Sequence, residues 1–294
     1  MWPFKKKSKQ PSSPEYETAW RTMDWNDKQK LLTTIKNFQP GNPEVDTLKI
    51  LLHGPVGAGK SSFFNSLDNA LQGRITSRAL AHSVQTDRSF TVKYQTYKLK
   101  KDGFGSYLPL TFTDIAGMQS EHGGISTADI IKLLGGHINS GYIFNPNSSI
   151  TEDDPKYNKE PNRKDRIHCL VAVLPANTVS MTDDDIIRQM KEVREKARDL
   201  GIPQVIIMTK VDEACPLVKD DLQKIYTSKK IKQKMVECSV KLGVPVSFIY
   251  PVKNYHEENA NNVKMDILIL DALKNIVNFA NDHVEDKIVS GEDP

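Results

Sequence analysis

Gly54, Pro55, Val56, Gly57, Ala58, Gly59, Lys60 and Ser61 spell the spacing G-x-x-x-x-G-K-S. Glycines at these offsets let a backbone curl until its N–H groups point inward, where they can cradle phosphate oxygens at the positive end of a helix dipole. A lysine at the seventh position would neutralise the β- and γ-phosphates, and the hydroxyl of Ser61 would ligate magnesium. The pattern carries weight only in the right context. Leu48–His53 (LKILLH) reads as a short buried strand, and the segment from Ser62 (SFFNSL) as the opening of a helix with an apolar face. Strand, glycine loop and helix therefore stand in register, and residues 54–62 are expected to bind a nucleoside phosphate.

Three later segments narrow the ligand. Asp114-Ile115-Ala116-Gly117 follows an apolar run, which puts a carboxylate at a strand tip. Asp114 there would hold magnesium through a water, and the Gly117 N–H would face the γ-phosphate. Thr209-Lys210-Val211-Asp212 ends another apolar run. A carboxylate at Asp212 can accept from both N1–H and the exocyclic amine of guanine, a donor pair that adenine lacks, so it favours GTP or GDP over ATP. Lys210 would lay its aliphatic stem along the base. Thr209 stands where Asn is commoner, which predicts weaker base selectivity. Lys253 and Asn254, in Pro251-Val252-Lys253-Asn254, follow a further strand. Their backbone N–H groups could reach the guanine oxygen, or the segment is a plain strand-to-loop turn.

The elements that must position these groups are legible from periodicity. Residues 15–38 carry Trp20, Met23, Leu31, Leu32, Ile35 and Phe38 at roughly helical spacing, ended by Pro40-Gly41. Residues 90–97 alternate, 108–113 run into Asp114, and Lys101-Asp102-Gly103 between them predicts a hairpin. A helix is expected over 126–138, with Ser126 as its cap. Residues 139–166, with Pro146, Pro155 and Pro161, read as a long surface insertion. Strands are then expected at 167–174, 205–208 and 246–250, with helices at 183–200, 219–242 and 263–283. This alternation predicts an α/β fold: a phosphate-loop NTPase domain with a mostly parallel sheet and helices on both faces. The expected organisation is a disordered basic tail at 1–14, a helical segment at 15–44, the nucleotide domain at 45–286 and a tail at 287–294.

Composition excludes several other classes. The net charge of +3 over 294 residues is too weak to argue for nucleic acid. No run approaches the ~20 apolar residues that span a bilayer, and no secretory h-region follows Met1. Cys169, Cys215 and Cys238 are scattered and form neither a disulfide framework nor a metal spacing. A cytoplasmic location is expected. Trp2 and Phe4 beside Lys5, Lys6, Lys7 and Lys9 could touch an anionic membrane weakly, although a solvated tail is the simpler reading.

Together the phosphate loop, DxxG and TKxD, in that order, resemble the GTPase superfamily. Over almost the whole chain the segments GPVGAGKSSFFNSL, DGFGSYLPLTFTDIAGM, YIFNP, KDRIHCLVAV and KMDILILDALKNIVNFANDH resemble the interferon-induced protein 44 family. The resemblance implies guanine-nucleotide binding with magnesium, a cytoplasmic setting and a role in interferon-linked antiviral defence. It also implies a short form, because some members carry an extra N-terminal domain.

Departures from the superfamily pattern bear on turnover. Hydrolysing GTPases place a water-orienting Gln directly after DxxG. Met118 stands there, and Gln119, one residue later, is the substitute candidate. Thr86 and Thr91 both qualify as the magnesium-sensing threonine, and Thr86 is favoured because Thr91 lies in an alternating run. Three readings follow: a slow GTPase that engages a partner or itself through its switch loops, a non-hydrolysing nucleotide-dependent scaffold, and an ATPase or phosphotransferase.

Overall fold

A computed structural model describes residues 13–76, 92–102, 105–115, 117–118, 125–145 and 147–289. Its centre is β1 (Leu48–His53), flanked in parallel by β4 (Tyr107–Asp114) and β6 (Cys169–Pro175). β7 (Gln204–Thr209) and β8 (Ile249–Pro251) extend the sheet in parallel beyond β6. β3 (Gln95–Lys100) closes the other side as an antiparallel partner of β4, forming the expected hairpin. The resulting order is β3-β4-β1-β6-β7-β8. A small separate ladder pairs β2 (Val92–Lys93) with β5 (Ile143–Phe144), the latter inside the 139–166 stretch.

Every residue of β6 is buried. Successive side chains of a strand point to opposite faces, so both faces of the sheet must be covered. α2 (Lys60–Gln72) packs against β3, β4 and α8 (Val263–Val289), α8 covers β1 and β6, and α1 (Lys28–Lys36) lies on α8. α3 (Thr127–Leu134) packs on α4 (Asp184–Asp199), which covers β6 and β7 and meets α7 (Lys229–Leu242). Two short helices, α5 (Val211–Ala214) and α6 (Pro216–Asp220), follow β7. Ser126 caps α3 as expected, its hydroxyl accepting from the Asp129 N–H at 3.1 Å, and the Asp183 carboxylate caps α4, accepting from the Asp185 N–H at 2.7 Å. Among the described residues no helix is long and apolar enough to cross a membrane. All three cysteines are buried and free.

Four predicted elements differ. The strand expected over 90–97 is divided: Val92–Lys93 pairs with β5, and only the part from Gln95 onward, extended to Lys100, pairs with β4. The helix expected over 15–38 is confined to α1, because the preceding segment is held by tertiary contacts instead. The Arg21 guanidinium donates to the carbonyls of Ile249 and Val246, each at 2.8 Å, and lies over the rings of Trp20, Tyr226 and Tyr250. Glu15 bridges to Ser228. Such contacts outweigh helical propensity, which is a weak prior. The helix expected over 219–242 is broken by two caps. Asp221 accepts from Gln223 and opens a 3-10 turn at Leu222–Tyr226, and Ser228 accepts from Ile231 and starts α7. The strand expected at 246–250 is mostly a 3-10 turn, Val246–Phe248, and ladder pairing begins at Ile249.

Two predictions test these packing arguments. Arg21→Met leaves two carbonyls without their donor and should cost about 2 kcal/mol in urea unfolding, the usual scale for charged hydrogen bonds; an unchanged midpoint would refute the role given to Arg21. His53, at the end of β1, is fully enclosed, and burial, aided by the Lys60 charge, pushes its imidazole down to about 3. The native state therefore stays neutral while the unfolded chain protonates near pH 6.5, so stability is lost as pH falls from about 6.5 toward 3. Unfolding free energies at pH 6.5 and 5 should differ by on the order of 2 kcal/mol more in the unaltered chain than in His53→Leu.

Candidate nucleotide site

Parallel strands deliver their C-terminal ends to one edge of the sheet. The register places Leu52 beside Asp114, His53 beside Ala172, Pro175 beside Thr209 and Met208 beside Pro251. The phosphate loop, Asp114, Thr209 to Asp212 and Lys253-Asn254 all leave the sheet at this edge, the usual ligand position in open parallel sheets.

The loop itself is wedged tightly. Gly54 has φ +142°, and a Cβ there would stand 2.2 Å from the Val173 carbonyl oxygen, so only glycine lets the loop rise off β6. At Gly59 (φ +93°) a Cβ would come 2.9 Å from the Asn254 amide nitrogen. That amide donates to the Gly59 carbonyl at 3.1 Å, and the buried Thr209 hydroxyl donates to the Ala58 carbonyl at 2.7 Å. Two later strand ends thus hold the carbonyls of the loop on the protein side. Val56 and Gly57, at its tip, remain exposed. Ser62 follows in the first turn of α2, where its carbonyl accepts from the Ser66 hydroxyl at 2.7 Å.

Lys60 is buried, and its ammonium donates to the carbonyls of Gly54 (3.2 Å) and Pro55 (3.1 Å). Burial lowers its affinity for the proton, and the Asp114 carboxylate partly restores it. The Ser61 hydroxyl donates to that same carboxylate. Ser61 and Asp114 therefore offer a hydroxyl and a carboxylate oxygen at one point, hard donors of the kind magnesium takes. Among the described residues no cluster of three or more His, Cys, Asp or Glu side chains could hold a metal alone. The pair fits an ion that draws its remaining ligands from phosphate and water.

Gly117 sits against the loop, since a Cβ there would lie 2.4 Å from Val56 Cα. The Met118 N–H donates to the Gly54 carbonyl at 3.0 Å, and the Val56 N–H donates to the Met118 carbonyl at 3.3 Å. The Met118 side chain is buried in the core. Thr86, Thr91 and Gln119 lie outside the described residues.

Further along the same edge, Lys210 alone among the described non-glycine residues has a positive φ, +55°. Its left-handed turn ends β7 and starts α5, the helical turn that carries Asp212. The Lys253 ammonium bridges Asp212 (3.8 Å) and Glu258 (2.8 Å). Burial works against the Lys253 charge, but the two carboxylates outweigh it and hold its proton more firmly than usual. Burial likewise opposes charge on Glu258, yet the His256 N–H and Lys253 pull its carboxyl down to about 2. Sequence reading missed Glu258 and the amide clamp of Asn254. The sequence carried no pattern for either, because both contacts depend on how the loop after β8 folds back.

No family model matches this chain. It is 35% identical over 259 residues to human interferon-induced protein 44, a match covering 88% of this chain and 58% of that protein. Human interferon-induced protein 44-like is 33% identical over 260 residues, covering 88% and 57%. Mouse interferon-induced protein 44 is 34% identical over 256 residues, covering 87% and 60%. Among solved structures, the crystal structure of a probable GTP-binding protein engB aligns with a TM-score of 0.42 at 15% identity, over 81% of this chain and 99% of the other. The chain thus spans somewhat under two thirds of the curated relatives it matches. On these sequence matches it belongs to the interferon-induced protein 44 family.

Proposed function

We propose that this chain binds guanine nucleotide with magnesium and uses the bound state to order its loops. One observation carries the reading: a braced phosphate loop, the Ser61–Asp114 pair and the Asp212 carboxylate all stand at one sheet edge. The loop N–H groups and Lys60 would take the phosphates. Ser61 and Asp114 would hold magnesium, whose charge screens the β- and γ-oxygens when it is bound. Asp212 would accept from guanine N1–H and the 2-amino group. Lys253, anchored by Glu258, would flank that carboxylate. Thr86 is proposed as a further magnesium contact and Gln119 as a weak candidate to orient water in place of Met118.

Turnover is a separate matter. Met118 carries a buried thioether at the place where an exposed amide would orient water, and its backbone is spent on pairing with Gly54 and Val56. This favours slow hydrolysis, and it equally supports a second reading, a nucleotide-dependent scaffold that does not hydrolyse. The names of the relatives support an interferon-linked role. We place the chain in cytoplasmic antiviral defence, engaging a protein partner or a second copy through its switch loops.

Calorimetry with GDP, a non-hydrolysable GTP analogue and ATP tests the ligand. Guanine nucleotides should bind at least ~10-fold more tightly than ATP; equal or tighter ATP binding would refute the base assignment. Lys60→Ala should abolish binding, and Asp212→Asn should erase most of the guanine preference while retaining phosphate affinity. Single-turnover phosphate release should proceed at or below roughly 10⁻³ s⁻¹, the intrinsic order for GTPases without a supplied arginine. A rate of about 1 s⁻¹ would show that another group replaces the missing amide.

A further inference from the structure

A cavity of about 510 Å³ opens at the opposite edge of the sheet, where the parallel strands begin. Leu134 at the end of α3, Leu200 at the end of α4, and Ile167 and Ile202 before β6 and β7 form an apolar floor. Arg166 and His137 stand at its polar side, and Glu160 is exposed at the rim. This volume and lining are those of a small-molecule pocket, mostly apolar with a few orienting polar groups.

Arg166 is the informative residue. It is half-buried, yet among the described residues its guanidinium has neither a hydrogen bond nor an ion pair. Its guanidinium still reaches water at the mouth of the cleft, and its planar fork suits a bidentate acceptor such as a carboxylate. The frame around it is fixed in advance. A Cβ on Gly136 (φ +85°) would stand 2.8 Å from the Asp165 carbonyl carbon and 3.0 Å from the Arg166 nitrogen, so the turn after α3 presses directly on the backbone that carries Arg166. The Asp165 carboxylate accepts from the Asn162 N–H (3.1 Å) and the Asn158 amide (3.3 Å). The His137 ring stacks on Tyr157 and shares a 3.0 Å hydrogen bond with the Asn158 carbonyl.

We propose that this cleft binds a small amphipathic carboxylate, with an acyl or ring body on the apolar floor and its carboxylate on Arg166. A single guanidinium with Glu160 nearby matches one negative charge better than the two of a phosphate monoester. Preorganisation of the rim means that little ordering opposes binding.

Calorimetric titration with decanoate and with decanol decides the matter. Decanoate should bind one-to-one and at least ~10-fold more tightly than decanol, as expected for one charged hydrogen-bonded contact. Arg166→Gln, a half-exposed change, should remove that preference while leaving decanol affinity unchanged. Leu200→Trp, which fills the floor, should weaken both ligands. Equal binding of the two ligands, no decanoate binding, or an Arg166→Gln variant that keeps the preference would overturn the proposal.

Discussion

The candidate site depends on the restraint of one loop. A phosphate loop works by leaving its N–H groups unpaired and aimed outward, an arrangement that a free backbone would relax by turning those groups onto its own carbonyls. Here the carbonyls are engaged from behind. Thr209 at the end of β7 holds Ala58, Asn254 after β8 holds Gly59, and Lys60 holds Gly54 and Pro55. Each such bond contributes only about 1 kcal/mol net. Collectively they fix the side of the loop that faces the protein, while two loop N–H groups are already engaged, Val56 with the Met118 carbonyl and Ala58 with the Pro55 carbonyl at 3.3 Å each, and would have to turn to meet phosphate. The same strand ends carry Asp212 and Lys253, so loop shape and base reading share one scaffold.

This arrangement also changes the meaning of Thr209. From the sequence, a threonine in place of the commoner asparagine suggested weaker base selectivity. In the fold its hydroxyl points to the loop carbonyl, and Asn254 supplies an amide from a neighbouring strand end to the next carbonyl. The bracing is distributed over two residues, while Asp212 remains the group that would face the base. The Lys253 ammonium stands at that carboxylate but lies nearer to Glu258, at 2.8 Å against 3.8 Å.

Much of this was legible in the sequence because it rests on local chemistry. β1, α2, α4 and the Ser126 cap follow from an apolar run, a glycine pattern, an acidic first turn and a serine followed by a helical period. The failures were tertiary. Trp20 and Met23 have helical spacing, but Trp20 packs edge-on against Tyr226 and Arg21 lies over the rings of Tyr226 and Tyr250, which no local window reveals. The break between α6 and α7 was written in Asp221 and Ser228, two capping residues inside a stretch whose charge pattern otherwise reads as one helix. Within the candidate site, residues on strand ends were recoverable from motif order. Glu258 and the cleft at Arg166 were not, because they come from loops that fold back onto the sheet.

The central claim is that the protein side of the loop is braced before ligand arrives and that its neighbours select guanine. A crystal structure of the complex with magnesium and GDP tests it most directly. The account predicts that the Thr209–Ala58 and Asn254–Gly59 hydrogen bonds persist, with phosphates inside residues 54–61 and the base edge on Asp212. A loop rebuilt with those bonds broken, or a base lying away from Asp212, would contradict it.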